Sequence, residues 1–265
     1  MQNHEIDYKI FGEEMQYVEI ELDPNESAIA EPGAFMMMDD GITMETMFGD
    51  GSQQQNSGGL LGKLLNAGKR VLVGENLFMT AFTNIDTGKR HISFASPYPG
   101  KIIPLNLQQL NNRMICQKDS FLCAAKGVSI GIEFQKKLGT GLFGGEGFIM
   151  EKLEGDGMAF LHACGHVLKK ELYAGELLKI DTGCIVGFTS TVDYDIQFVG
   201  GIKNTLFGGE GLFFATLRGP GTVWIQTLPV SRLAGRILQY ATTSRREEGS
   251  VLGGLGNLLD GDGWR

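Results

Sequence analysis

Leu142-Phe143-Gly144-Gly145-Glu146-Gly147 recurs letter for letter as Leu206-Phe207-Gly208-Gly209-Glu210-Gly211, an offset of 206 − 142 = 64 residues. The same offset, without a gap, pairs residues 120–163 with 184–227, and 12 of those 44 pairs are identical. Outside the hexapeptide the identities are Val128/Val192, Ile132/Ile196, Phe134/Phe198, Leu153/Leu217, Gly155/Gly219 and Gly157/Gly221. A glycine-rich composition would give roughly three or four matches by chance. The sequence therefore reads as a duplication.

A more diverged copy lies upstream. At an offset of 150, residues 22–48 align with 172–198, with Leu22/Leu172, Glu26/Glu176, Gly33/Gly183 and Phe48/Phe198 identical. Further on, Gly74-Glu75 matches Gly145-Glu146 and Gly209-Glu210, which changes the offset to 210 − 75 = 135. The first copy thus carries an insertion of 150 − 135 = 15 residues, within GDGSQQQNSGGLLGKLLNAGKR at 49–70. This stretch opens polar and glycine-rich, as a mobile loop does. Its Leu60-Leu61 and Leu64-Leu65 have the spacing of a short amphipathic helix. The tail, with Leu252-Gly-Gly-Leu255 and Leu258-Leu259, echoes that composition. Local self-packing or disorder is the plain reading of both; docking on a partner is the functional one.

Each copy reads as strands. Val128, Ile130, Ile132 and Phe134 alternate with Ser129, Gly131 and Glu133, and Val192, Tyr194, Ile196 and Phe198 alternate likewise. A period of two means a half-buried strand with one face on a core. The glycine turns at 153–157 and 217–221 predict β-hairpins joining 148–153 to 158–163 and 212–217 to 222–227. Helix is otherwise scarce, with 106–112 and 230–240 the best candidates. The predicted fold is all-β, with unit 1 at 1–105, unit 2 at 106–170, unit 3 at 171–240 and a mobile tail at 241–265. Three such units can close around a pseudo-threefold axis, each covering its neighbour's strand edge. A linear solenoid fits less well, because three units are few and lack polar caps.

Composition narrows the function classes. The chain has 39 glycines against 7 prolines, a 42% hydrophobic content and a formal charge of −8. Nucleic-acid binding draws on clustered Lys and Arg. Here Arg245-Arg246 is followed at once by Glu247-Glu248, so nucleic acid is disfavoured as a partner. Four cysteines lack Cys-x-x-Cys spacing, the amino terminus is polar and acidic, and no apolar run approaches the roughly 20 residues that cross a bilayer. A cytoplasmic protein is expected. Leu60–Leu65 and the tail are the segments through which it would touch a membrane surface.

The motif set resembles one widespread family. It comprises the two Leu-Phe-Gly-Gly-Glu-Gly runs, Gly33-Ala34-Phe35-Met36 with Met44-Glu45-Thr46, Ala174-Gly175-Glu176-Leu177, Asp181-Thr-Gly-Cys184 and Gly219-Pro-Gly-x-Val-Trp-Ile-Gln-Thr227. These are similar to the bacterial family of unknown function related to the yeast "altered inheritance of mitochondria" biogenesis protein, over about residues 10–235. The resemblance implies a fold like the tryptophan RNA-binding attenuation protein, with three double-stranded β-helix units in one chain. It implies no activity, and the attenuation protein's ligand-binding motifs have no match in this sequence.

Two residue sets are candidates for chemistry. His162-Ala-Cys164-Gly-His166 would put two imidazoles and a thiol on one strand face, donors that suit zinc. The outer two sit roughly 13 Å apart on a straight strand, so a shared ion requires a bend at Gly165. An ordinary strand edge is the alternative. Glu75, Glu146 and Glu210 repeat, and three carboxylates near a threefold axis would hold a cation or poise a proton. Against this, each carboxylate can accept backbone N–H bonds within its own glycine turn. No Gly-x-Ser-x-Gly elbow or His-Glu-x-x-His motif is present, and Gly139-Thr-Gly-Leu-Phe-Gly144 lacks the strand–helix context of a dinucleotide fingerprint. No cofactor is implied. The sequence thus points to a non-enzymatic interaction or scaffold protein that engages a protein partner or its own copies. The alternatives are a small-ligand- or RNA-binding regulator, by fold analogy, and an enzyme with an unrecognised site.

Overall fold

Short alternating segments separated by glycine turns fold as strands throughout. A computed structural model of the chain describes residues 4–48, 78–136, 148–199, 212–238 and 240. The first strands are β1 (Asp7–Phe11), β2 (Tyr17–Leu22), β3 (Ser27–Ala30), β4 (Phe35–Met38), β5 (Ile42–Phe48), β6 (Phe78–Asn84) and β7 (Arg90–Ala95). Next come β8 (Gly100–Asn106), β9 (Arg113–Gln117), β10 (Phe121–Ala125), β11 (Ser129–Lys136), β12 (Phe148–Glu154) and β13 (Met158–Cys164). The last are β14 (Val167–Leu172), β15 (Leu177–Asp181), β16 (Ile185–Thr189), β17 (Asp193–Val199), β18 (Leu212–Arg218) and β19 (Gly221–Gln226). The two expected helical stretches are a single 3₁₀ turn at Leu107–Leu110 and an α-helix, α1, over 230–238. Among the described residues no helix is long and apolar enough to cross a membrane.

The strands form four antiparallel sheets. In order these are β1-β2-β7-β4, β5-β6-β3-β10-β13-β8, β11-β12-β9-β16-β19-β14 and β15-β18-β17. The third order is the second with every label raised by six. Strands β9, β10, β11 and β12 begin at 113, 121, 129 and 148, and β15, β16, β17 and β18 begin 64 residues later at 177, 185, 193 and 212.

One expectation fails. The turns at 153–157 and 217–221 do not make hairpins: β12 pairs with β11 and β9, while β13 pairs with β10 and β8. Likewise β18 and β19 lie in different sheets. At Gly155, with φ of +142°, the chain leaves one sheet for the next, and the Gly155 N–H donates to the Asn112 carbonyl at 3.1 Å. Glycine is needed there because a side chain rarely tolerates that φ. Alternation tells that a strand has a buried face, not which strand lies beside it.

Apolar residues fill three cores, one between each consecutive pair of sheets. Ile20 and Phe94 of the first sheet meet Ala28, Phe82 and Phe160 of the second. On the other side of the second sheet, Ile29, Phe121 and Leu161 meet Met114, Ile130 and Trp224 of the third. The third sheet then packs Phe148, Phe188 and Val223 against Ile180, Ile196 and Leu217 of the fourth. The middle sheets are therefore covered on both faces. This is why β3 and β10 are buried at every position rather than at alternate ones.

Two strand junctions stitch the repeated segments together. In one, β3 pairs with β10, placing Ala30 opposite Cys123, Ile29 opposite Ala124 and Ala28 opposite Ala125. In the other, β9 pairs with β16, placing Cys116 opposite Gly187, Ile115 opposite Phe188 and Met114 opposite Thr189. Small residues allow this close approach: a Cβ on Gly187 would lie 2.8 Å from the Ile115 carbonyl oxygen and 3.1 Å from the Cys116 Cβ. We expect Gly187→Ala to lower stability by about 1–3 kcal/mol, the usual cost of overpacking. Urea denaturation of the purified variant checks this, and an unchanged midpoint would contradict it.

Candidate functional site

A buried carboxyl, Glu151, and a half-buried one, Glu31, form an acidic pair where the second and third sheets meet. Glu151 comes from the middle of β12, 1% exposed, opposite Cys116 of β9. Glu31 follows the end of β3, held by its N–H donating to the Leu122 carbonyl of β10 at 3.1 Å. The segment Lys118–Ser120, a 3₁₀ turn after β9, brings Lys118 and Asp119 into electrostatic reach of both carboxyls. Loss of water is the main influence on each. It pushes Glu31 up to about 7, with Asp119 adding to the rise. It pushes Glu151 up to about 8, with Glu31 adding, while Lys118 opposes the rise in both. One Glu151 oxygen, Oε1, is buried without a hydrogen-bond partner. An unpaired buried carboxylate is costly, so the protonated form is favoured.

Around the pair lie groups that burial keeps neutral. Tyr98 donates its hydroxyl to the Asp119 carbonyl at 2.9 Å, and burial raises its phenol. The Cys116 thiol is raised well above its ordinary value, first by burial and then by Glu151 and Glu31. The arrangement can take up and release protons near neutral pH. Glu151 and Cys116 are buried, Glu31 and Tyr98 are half-buried, and Asp119 is exposed, so the pair has one edge towards solvent.

The sequence candidates fare differently. His162 lies in β13, 3% exposed, its ring 4.8 Å from that of Tyr98. Burial lowers it to about 4, so the imidazole is neutral at physiological pH, and its Nδ1 has no hydrogen-bond partner. Cys164 closes the strand, buried, its N–H donating to the Gln226 side-chain oxygen at 2.9 Å. The chain then turns at Gly165, with φ of +78°, and His166 emerges into solvent with its N–H on the Thr227 hydroxyl. The bend separates a buried imidazole from an exposed one. Among the described residues no group of three His, Cys, Asp or Glu side chains could hold a metal ion. Glu75, Glu146 and Glu210 lie outside the described residues, as do the stretch 49–70 with Leu60–Leu65 and the tail 241–265. All four cysteines are free thiols.

Glu31 and Glu151 were not singled out from sequence, although a signal was present. At the repeat offset of 64, Glu151 aligns with Ala215, and the register agrees: Cys116 faces Glu151 as Ile180 faces Ala215. A carboxyl stands where its copy has a methyl.

A second feature is exposed. In β4, Phe35, Met36 and Met37 are 41%, 47% and 45% exposed, and in β15 Leu177 is 54% exposed. Among the described residues each strand has a strand neighbour on one side: β7 for β4 and β18 for β15.

Comparison with known proteins places the chain. The model of the family described as mitochondrial biogenesis AIM24 matches residues 8–228. An uncharacterized protein of Streptococcus pyogenes serotype M6 is 30% identical over 230 residues, spanning 86% of this chain and 87% of that one. A crystal structure of another Streptococcus pyogenes protein superposes with a TM-score of 0.68 at 24% identity, covering 89% of this chain and 99% of its own. That likeness establishes a shared fold. With a family match across nearly all of its folded length and a streptococcal relative of almost equal extent, the chain belongs to the AIM24 mitochondrial biogenesis family.

Proposed function

We propose that this protein is a non-enzymatic interaction scaffold of three like β-units that self-associates through its sheet edges. The three-unit reading draws on the sequence offset of 64, on the matching strand starts and on the recurrence of one sheet order with labels raised by six. The observation that carries the interaction reading is the pair of open strands, β4 and β15. Among the described residues neither has a strand partner on its second side, and exposed apolar side chains lie on both. Proteins usually blunt such edges with charge, proline or a covering loop. Phe35-Met36-Met37-Met38 carries neither a charge nor a proline.

Sedimentation velocity over a range of concentrations tests the reading. Species heavier than the 28.8 kDa chain, growing with concentration, are expected. A single 28.8 kDa species at every concentration would overturn it.

A further inference from the structure

We infer that Glu151 is a proton-operated latch on the β9·β12 strand pair: release of its proton parts the two strands from the Glu31 edge and exposes the Cys116 thiol, while the rest of the fold stays closed.

Strand pairing does not ask for a carboxyl at this place. The offsets of 64, 150 and 135 align three strand pairs, in which Thr80 faces Ala30, Glu151 faces Cys116 and Ala215 faces Ile180. A hydroxyl and a methyl suffice in the other two. The carboxyl of the middle pair therefore adds a property that the ladder itself does not require.

The surroundings of Glu151 suit a neutral side chain. It is 1% exposed, and its Oε1 is buried without a hydrogen-bond partner. It is faced by Cys116 from β9, Ile132 from β11, Glu31 after β3, and Lys118 and Asp119 from the 3₁₀ turn. Burial, with Glu31 and Asp119 adding, outweighs Lys118 and pushes the carboxyl up to about 8. Once ionised it must find water, because a buried carboxylate without a partner is costly. Water has one short approach, the edge where Glu31 is half-buried and Asp119 exposed.

What parts is the strand pair beside that edge. Cys116 has Glu151 on one side and Gly187 on the other. Gly187 brings no side chain, so movement of β9 there gives up fewer apolar contacts than at a fully packed strand. Such a local opening lies below global unfolding in free energy. Cys116 is 0% exposed, and of the four thiols it is the one that Glu151 raises. Cys123 and Cys164 belong to β10 and β13 of the second sheet, and Cys184 is influenced by Asp181 and Arg232. The closed state holds the Glu151 proton more tightly than the open one, so opening grows as pH rises from 4.5 and levels off above about 8.

The test uses the full chain, pulse-labelled with iodoacetamide at pH 6, 7, 8 and 9, each cysteine being read by peptide mass spectrometry. Thiols react faster at higher pH in any setting, so Cys116 in wild type is compared with Cys116 in Glu151→Gln at each pH. The ratio of wild type to variant is expected to climb by at least about tenfold between pH 6 and 8. It should then level off, with Cys123 unlabelled throughout. Glu31→Gln removes a like charge from beside Glu151, so in that variant the climb should begin at lower pH. Equal Cys116 rates in wild type and Glu151→Gln would overturn the latch. Labelling of Cys123 in step with Cys116 would overturn it too, because the whole fold and not one strand pair would then be opening. A climb that Glu31→Gln leaves unmoved would overturn the part given to the Glu31 edge.

Discussion

Replacing Glu151 by glutamine should make the protein more stable than wild type at pH 9 and about equally stable at pH 5. The reason is the burial of Glu151 in the second core, where its carboxyl is pushed from an ordinary 4.5 up to about 8. The folded chain then binds that proton more tightly than the unfolded chain does. Between pH 4.5 and about 8 the folded state holds more protons, so the slope of unfolding free energy with pH is negative. Stability from this group is fully present below pH 4.5 and is lost as pH rises through about 8. A difference of that size corresponds to about 5 kcal/mol as an upper figure, at 1.36 kcal/mol per decade of proton affinity. Water entry on ionisation reduces it, so a gain of about 2–4 kcal/mol for the variant is expected at pH 9. Glu31, pushed up to about 7, leaves a smaller decline of the same sign in the variant. Urea denaturation at pH 5, 7 and 9 measures both curves. Parallel pH profiles for the two proteins would show that Glu151 ionises as it does in water.

Phe82→Ala should be the most damaging single truncation in the first core, at about 3–5 kcal/mol, the range for losing a buried aromatic side chain. Phe82 lies in β6, 1% exposed, edge-on to Phe94 at 5.3 Å between ring centres and stacked with Phe35 at 5.6 Å. The ring spans two sheets, since Phe94 belongs to β7 and Phe35 to β4, both in the first. A cavity there cannot be filled by one side chain, because its walls come from two backbones fixed by separate hydrogen-bond ladders. The same change would loosen β4 as well as lower the melting temperature. Phe82→Leu keeps most of the volume and should cost distinctly less. Thermal unfolding of both variants decides this, and equal midpoints for Phe82→Ala and wild type would refute it.

The acidic pair also has a structural consequence for the junctions. Glu151 faces Cys116, and Cys116 faces Gly187 across the β9·β16 junction. Ionisation of Glu151 therefore places a charge one strand away from the seam between repeated segments. Loss of stability at alkaline pH is expected to begin there rather than at the outer strands β1 or β17.

Much of the architecture was legible in the residues. The period of two at Val128–Phe134 identified a strand, because alternation is the direct imprint of a pleated backbone with one face on a core. The helical stretch at 230–238 was legible for the complementary reason, a run without that alternation. The pairing of those strands was not legible. Phe148–Glu154 and Met158–Cys164 are joined by a glycine turn that suits a hairpin, yet they enter different sheets. Turn chemistry is local, whereas the choice of neighbour depends on which apolar faces three separate cores can bury.

The candidate site divides along the same line. Sequence order brought His162, Cys164 and His166 together, but the turn at Gly165 left one imidazole buried and the other in solvent. Glu31 and Glu151 are 120 residues apart, and only the close approach of β3, β9, β10 and β12 makes them neighbours, with Glu151 buried and Glu31 half-buried. Composition and periodicity by themselves determined a chain made mostly of strands, since both are properties of consecutive residues. Which edges are covered, which are open and which carboxyls lose their solvent was decided by the tertiary structure, because burial and strand partnership are set by residues far apart along the chain.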